Sequence, residues 1–467
     1  MRTTMIKMSS RALMAALLLG AGLLTSACEQ EINPEQSIDT ETALSDEQGV
    51  QTAVVGAYSR LYQPALYGTN LVMIPDLLAS PGYLSWQGSF QSYREISSVQ
   101  ITTVNADVQR TWRDAYRLIN INNLVLEALP IVRDAARRQQ LQGEMQLMRG
   151  LMYFELVRLY GQPALTSTYG VPVVTRANRT VEEASARLPR NTVQQVYDQV
   201  LADMRAAEQA LPTQNEAGRF DRYDAKALLA RVYLQLGNYA QARDLANEVI
   251  QSSGATLNAS VTDAFTSDGS TEVLFEVLQN EQNNAGAAND GLATFYSGKS
   301  VGFQGRADVA ISAAFAGQYE ASDERGEQAS IGDGLIYVGD AVRTGQLRSF
   351  KWNDFAQNIP VIRLAEMHLI RAEANQRLGT TTGATPLADI NAIRQRAGAT
   401  PRTSVALADI LLERELELAF EGFRIHDYRR TGRNLGTNPS TADARVLPIP
   451  QYEINLGNAT PQTPGYL

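Results

Sequence analysis

Apolar positions recur at helical spacing along most of the chain, and the clearest example lies in residues 224–251. Two amphipathic helices are predicted there on either side of Gly237, because glycine commonly ends a helix in the left-handed conformation. The small residues Ala230, Ala242 and Ala246 would let the two helices pack closely. Such a hairpin cannot bury its apolar faces alone, so the pattern predicts neighbours of the same kind.

The spacing of this hairpin is similar to one tetratricopeptide unit, although ordinary helical hairpins share it. Helical pairs recur elsewhere without strict sequence identity, which favours a degenerate array of helical hairpins. Further helices are predicted in residues 45–61, 112–129, 143–160, 191–211, 361–379, 387–398 and 405–424. The predicted fold class is therefore mostly α.

Two long segments lack the helical period. Residues 62–104 contain prolines, glycines and several aromatic residues, and residues 279–357 are rich in Asn, Gly and Asp. Irregular segments of this length within a compact domain are usually functional. Residues 272–278 predict one short buried strand, and the tail from residue 445 is Pro-rich and extended.

The amino terminus has the pattern of an export signal. A positively charged end precedes an apolar segment, residues 12–24, that is too short to span a bilayer comfortably. Small residues then lead to Cys28, the only cysteine in the chain. This is similar to a bacterial lipoprotein signal, although Thr25 stands where Leu is usual. The alternative is an ordinary secretory signal with an incidental cysteine.

The lipoprotein interpretation divides the chain into three parts. Residues 1–27 would be the signal peptide, Cys28 the lipidated first residue, and residues 28–44 a flexible tether. Residues 45–467 would form a single domain. No other stretch is apolar enough to cross a bilayer, so the protein is predicted to sit on a membrane through its lipid anchor.

Composition excludes several classes of function. The formal net charge of −9 argues against a nucleic-acid partner, which requires clustered Lys and Arg. Neither a phosphate-binding glycine loop nor a nucleophile elbow is present. With two histidines and one cysteine, no metal-ligand spacing occurs. The sequence predicts no catalytic residue, no cofactor and no metal site.

Three carboxylates in the carboxyl-terminal third, Glu413, Glu417 and Glu421, are predicted on one helix face. Acid/base chemistry is one interpretation, but two-carboxylate hydrolysis needs groups that face each other across a cleft. A structural ion network is favoured instead. Its predicted partners are Arg414, Arg424, Arg429 and Arg430.

The same stretch, ERELELAFEGFRIHDYRRTG, resembles the signature of the SusD/RagB family of outer-membrane lipoproteins. The matching positions are Glu413, Arg414, Glu417, Leu418, Phe420, Glu421, Gly422, Arg424, Asp427 and Arg429. The closing segment LPIPQYEINLGN, the terminal QTPGY and the helices at residues 148–161 and 363–374 are similar to those of the family. With the lipoprotein signal, the resemblance covers nearly the whole chain.

The resemblance implies a scaffold of four tetratricopeptide-like hairpins with irregular segments packed on one side. It further implies capture of a nutrient, usually a glycan and sometimes a peptide, on the outer leaflet of the outer membrane. The implied partner is a SusC-like TonB-dependent barrel transporter, which the lipoprotein covers as a lid.

Ligand contacts are expected in the two irregular segments. A sugar offers an apolar face to aromatic rings and hydroxyls to polar side chains. Single aromatic residues there could also form local core. The candidates are Tyr83, Trp86, Tyr93, Asn70, Asp76 and Arg94 in the first segment, and Tyr296, Phe303, Trp352, Asn353 and Asp354 in the second. Trp86 is favoured, because the small residues around it offer little to bury it.

The leading hypothesis is therefore a non-catalytic surface lipoprotein that binds a nutrient and delivers it to a transporter. One alternative is a surface glycoside hydrolase that uses loop carboxylates such as Asp76 and Asp354. Another is a tetratricopeptide-type adaptor that assembles envelope proteins.

Overall fold

The computed structural model describes residues 40–184, 187–286, 289–459 and 461–466. The chain divides into two units, one up to Ala43 and one from Leu44 to Leu467. Of the first unit, only a short helix at Thr40–Ala43 is described. The predicted signal peptide, the lipidation site Cys28 and most of the tether lie outside the described residues.

Helices make up most of the regular structure. They are α1 (Thr40–Ala43), α2 (Glu47–Arg60), α3 (Asn70–Leu78), α4 (Gln91–Ser97), α5 (Ala106–Ala128), α6 (Ala135–Tyr160), α7 (Val181–Ala184), α8 (Val193–Ala210), α9 (Arg222–Gln235), α10 (Tyr239–Ser252), α11 (Asp263–Thr266), α12 (Leu292–Tyr296), α13 (Ala313–Ala316), α14 (Leu364–Leu378), α15 (Pro386–Arg396), α16 (Leu407–Glu417), α17 (Arg424–Thr431) and α18 (Gln451–Leu456).

The long helices form a continuous array in which each packs against the next. Helix α2 packs on α5, α5 on α6, α6 on α8, α8 on α9, α9 on α10, and α10 on α14. Helix α14 in turn contacts α15 and α16. This arrangement confirms the prediction of a mostly α-helical, tetratricopeptide-like scaffold.

The predicted hairpin at residues 224–251 is formed by α9 and α10. Gly237 has a φ of 72° between the two helices, the left-handed conformation that favours glycine. Ala230, Ala242 and Ala246 are fully buried. Small side chains at these positions therefore allow the close contact that was predicted.

Polar residues cap the helices predicted at residues 45–61 and 191–211. Asp46 caps α2 and accepts a hydrogen bond from the Gly49 amide. Thr192 caps α8 and forms a reciprocal capping box with Gln195. Capping residues satisfy amides that have no partner within the helix, so adjacent polar residues compete for this position.

The first irregular segment is more regular than predicted, because residues 62–104 include α3 and α4. Every residue of α3 is buried. A helix that is buried on all sides has no solvent-facing polar side, and its helical period is therefore not visible in the sequence. Pro75 lies inside α3, which also concealed the helix.

The strands are short and form two-stranded antiparallel sheets. They are β1 (Leu84–Trp86) with β3 (Val309–Ile311), β2 (Val273–Val277) with β6 (Ile359–Arg363), β4 (Ile336–Val338) with β5 (Leu347–Ser349), and β7 (Asn434–Leu435) with β8 (Asn438–Pro439). The strand predicted at residues 272–278 corresponds to β2.

The signature glutamates form a buried ion network, as the sequence indicated. Glu417 contacts Arg325 and Arg363 at 3.1 Å each and Arg396 at 2.5 Å. Glu421 contacts Arg363 at 2.8 Å. The remaining contacts are Glu413 with Arg325 and Arg394, and Glu421 with Lys351. These side chains hold together segments that are distant in sequence.

The predicted partners of this network were wrong. Arg414, Arg424 and Arg430 pair with other acids, and Arg429 donates to three backbone carbonyls. The prediction that all three glutamates lie on one helix face is also wrong for Glu421, because α16 ends at Glu417. Proximity in sequence did not identify the arginines that the fold brings to these carboxylates.

Candidate functional site

The strand pair β1–β3 joins the two irregular segments. Trp86 pairs with Val309, and the Gln87 amide donates a 2.7 Å hydrogen bond to the Asp308 carbonyl. Arg343 donates to the Gln87 carbonyl at 3.0 Å and contacts the Asp308 carboxylate at 2.8 Å. The two segments that were predicted to hold the ligand site are therefore in direct contact with each other.

Aromatic residues from both segments cluster beside this junction. The ring centroid of Phe295 lies 5.4 Å from those of Trp86 and Tyr93 and 6.0 Å from that of Phe90, all edge-on. Tyr93 and Phe295 are buried, Trp86 is half-buried, and Phe90 is 38% exposed. The other three rings of the cluster thus pack beneath Phe90, which is partly exposed to solvent.

Polar side chains surround Phe90. The Arg306 guanidinium lies 4.6 Å from the centre of its ring, a cation–π contact, and donates to the Ser89 hydroxyl at 3.2 Å. Arg94 is exposed and donates to the Gly88 carbonyl at 3.2 Å. We call the set Gln87, Ser89, Phe90, Arg94 and Arg306 the Phe90 surface. Phe90, Arg306 and Gln87 were not among the predicted ligand residues.

Several predicted ligand residues are excluded from direct ligand contact by burial. Tyr83 stacks on Phe420 with ring centroids 5.2 Å apart. The Trp352 indole donates a 2.8 Å hydrogen bond to the Phe420 carbonyl. Tyr296 is fully buried and lies 6.4 Å from the Phe420 ring. For these three aromatic residues the prediction was wrong, because they form the core beneath the loops.

The same correction applies to Tyr93, Asn70 and Asp76. The Tyr93 hydroxyl donates to Asn70 at 2.8 Å, and Asn70 donates to Thr111 at 2.8 Å. Asp76 is fully buried in α3 and accepts a 3.3 Å hydrogen bond from the Gly422 amide. Since Asp76 is inaccessible, the hydrolase hypothesis loses one of its two carboxylates.

Of the remaining predicted residues in the second segment, Asp354 is exposed, whereas Asn353 is 8% exposed and donates to the Phe350 carbonyl at 2.9 Å. Asn353 and Asp354 line a polar cavity of about 330 Å³ together with Asp268 and Glu276. Phe303 is half-buried, and its ring lies 5.3 Å from that of Phe355. None of the lining residues of this cavity belongs to the Phe90 surface.

The buried Asp76 should make stability depend on pH. Burial raises its pKa from 3.8 to about 8, so the folded protein keeps this carboxyl protonated while the unfolded chain ionises. Stability from this group is therefore complete below pH 3.8 and is lost as the pH rises through about 8. Relative to wild type, Asp76→Asn should gain stability across this window, by at most about 1.4 kcal/mol per pH unit.

Urea unfolding of both proteins at pH 5 and pH 8 measures this gain. A difference in unfolding free energy that is equal at the two pH values would contradict the assignment of a protonated Asp76.

No group of three His, Cys, Asp or Glu side chains within the described residues could hold a metal ion. Among those residues there is also no helix long and apolar enough to cross a membrane.

Sequence and structure comparisons agree with this architecture. Residues 30–234 match the family model described as "Starch-binding associating with outer membrane", and residues 351–466 match that of the SusD family. A SusD-like protein from Formosa agariphila is 24% identical over 93% of this chain and 94% of its own. A SusD-like protein from Bacteroides ovatus is 24% identical over 85% of this chain and 79% of its own.

Solved structures show the same fold. A SusD superfamily protein from Bacteroides thetaiotaomicron has a TM-score of 0.77 and 24% identity, covering 91% of this chain and 100% of its own. A laminarin-binding SusD-like protein has a TM-score of 0.74 and 24% identity, covering 90% of this chain and 100% of its own. The protein is an array of helices with two irregular segments that are joined through the β1–β3 strand pair. It belongs to the SusD/RagB family.

Proposed function

We propose that this protein binds a saccharide at the Phe90 surface and delivers it to a SusC-like TonB-dependent transporter in the outer membrane, where Cys28 anchors it through lipid. The observation that carries the binding site is the exposed Phe90 ring, held by a buried aromatic base where the two irregular segments join. The names of the matching family model and of the laminarin-binding neighbour support a saccharide as the ligand.

The chemistry of the Phe90 surface suits a sugar. The exposed part of the ring can contact the C–H groups of a pyranose, and the surrounding side chains can pair with hydroxyls. Arg306 is fixed by its 2.9 Å contact with the buried Asp308, so its remaining donors are already oriented. Preorganised donors and rings reduce the entropy lost on binding.

Replacing Phe90 by Ala should weaken saccharide binding by about 1.4 kcal/mol, a tenfold increase in Kd, because the ring contact is lost. Isothermal titration of the lipid-free mature chain against laminarin and starch oligosaccharides and a peptide panel measures this change. Tyr239→Ala is a matched control, since it also removes a ring covered by an arginine, Arg377, at 4.8 Å. Tyr239 lies on α10, outside both irregular segments.

Three results would contradict the proposal. They are an unchanged Kd in the Phe90 variant, binding to no saccharide in the panel, and release of reducing sugar by the wild-type protein. The last result would favour the hydrolase hypothesis instead.

A further inference from the structure

A second cavity lies away from the Phe90 surface. It has a volume of about 530 Å³ and is bounded by α5, residues 172–178 and α18, with Arg60 at the end of α2. None of its lining residues belongs to either irregular segment. A cavity of this size is typical of small-molecule sites.

Aromatic rings with fixed positions form one wall of this cavity. The Trp112 indole donates to the Glu453 carboxylate at 3.1 Å, and the Tyr116 hydroxyl donates to the Pro172 carbonyl at 2.7 Å. Tyr116 and Tyr452 are half-buried and line the cavity. Their apolar ring surfaces can therefore contact a ligand without any rearrangement of these hydrogen bonds.

The cavity wall is positively charged within a chain of formal net charge −9. Arg60, Arg113 and Arg117 line it, and Glu453 is the one lining carboxylate among the described residues. Arg113 and Arg117 share Asp114, at 3.1 and 3.2 Å, and both remain at least half exposed. The described chain provides no hydrogen bond or ion pair to the guanidinium of Arg60.

The acid that lines the cavity is already engaged. One Glu453 oxygen accepts from Trp112, and the other accepts from the Asn458 amide at 3.0 Å. Among the described residues Glu453 forms no ion pair with these arginines, and its charge together with that of Asp114 offsets only two of the three positive charges. An anionic group on a ligand would complement them, since guanidinium groups pair with carboxylates and with tetrahedral oxyanions in bidentate geometry.

We propose that this cavity is a second binding site, for a saccharide that carries an anionic group, either a uronic carboxylate or a sulfate ester. The sugar would lie against Tyr116 and Tyr452 with its charged group toward Arg60 and Arg117. The saccharide part of this proposal rests on the proposed function, whereas the anionic preference rests on the cavity alone. The site is independent of the Phe90 surface, so the two can be tested separately.

The test is isothermal titration of the mature chain with matched trisaccharides. The probes are neutral galactose, glucose and mannose trisaccharides, their uronate counterparts and their singly sulfated counterparts. At least one anionic probe should bind about tenfold tighter than its neutral counterpart, and higher salt should reduce this preference. The relative affinities of uronate and sulfate distinguish the two sources of charge.

Variants test whether the preference for anionic probes arises in this cavity. The double variant Arg60→Gln/Arg117→Gln should abolish it. Arg133→Gln/Arg137→Gln makes the same change in net charge at an exposed and a half-buried residue, neither of which lines the cavity. Phe90→Ala should leave it intact. The proposal is overturned if no anionic probe is preferred or if the preference persists in the Arg60/Arg117 variant. It is also overturned if Phe90→Ala abolishes the preference, and that result would still support the Phe90 surface.

Discussion

Replacing Glu417 by Gln is expected to lower the free energy of unfolding by about 3–5 kcal/mol, the usual cost of removing one partner from a buried ion pair. Arg325, Arg363 and Arg396 all contact this carboxylate, and all three are at most 5% exposed at their side chains. The variant would remove the carboxylate that these three arginines share, so their buried positive charge would be less fully compensated. Urea unfolding at pH 7 measures the difference.

Glu216→Gln is the matched control. Glu216 is 73% exposed and lies 3.8 Å from Arg219, so its loss should change stability by less than about 0.5 kcal/mol. Equal effects of the two substitutions would contradict a structural role for the network.

Acid pH should reduce the difference in unfolding free energy between wild type and Glu417→Gln. Burial alone would raise the pKa of Glu417, but Arg396, Arg363 and Arg325 hold that pKa well below 4.5. Its stabilising contribution is therefore present above about pH 4.5 and is lost as the pH falls below this value. The gap between wild type and Glu417→Gln should accordingly narrow in acid.

Trp352→Ala is expected to destabilise the fold by about 3–5 kcal/mol, the range for truncating a buried large aromatic residue. Trp352 is 1% exposed, and its ring packs edge-on against Phe265 at 5.9 Å. The substitution also leaves the Phe420 carbonyl without its indole donor. Chemical denaturation measures the loss, and saccharide titration at a temperature where the variant is folded should give an unchanged Kd.

Trp352→Phe keeps an aromatic ring but removes the indole N–H together with part of the bicyclic ring. It should cost about 1–3 kcal/mol, less than Trp352→Ala, because part of the packing is kept while the hydrogen bond is lost. If Trp352→Ala had wild-type stability but no longer bound saccharide, Trp352 would be a ligand contact and its assignment to the core would be wrong.

The helical scaffold could be predicted from the sequence because the residues that define each helix lie close together in the chain. Helical period, Gly237 and the small residues of α9 and α10 are all visible within residues 224–251. The ligand residues could not be predicted in the same way, since exposure depends on which distant segments cover a side chain. Asp354 is exposed and Phe303 is half-buried, but the chain's own aromatic core covers Tyr83, Tyr296 and Trp352.

The small residues around Trp86 do not leave its ring fully exposed, since Trp86 is half-buried. A Cβ atom added at Gly88 would lie 2.5 Å from the Trp86 ring and 2.6 Å from the Asp308 carboxyl carbon. Glycine is thus required there for close packing, and it does not indicate that the ring is free. The cavity beside α5 was missed for a related reason, because Trp112 and Tyr116 have the spacing of ordinary core residues in a helix.

The division between inward and outward aromatic residues has an evolutionary consequence. Tyr83 and Trp352 contact Phe420, in the family signature, whereas Phe90 and its polar neighbours point to solvent. Residues on the outer layer can therefore be exchanged at little cost to folding. Substitution of a few surface residues can therefore change the chemistry of the Phe90 surface while the packing of the interior stays the same.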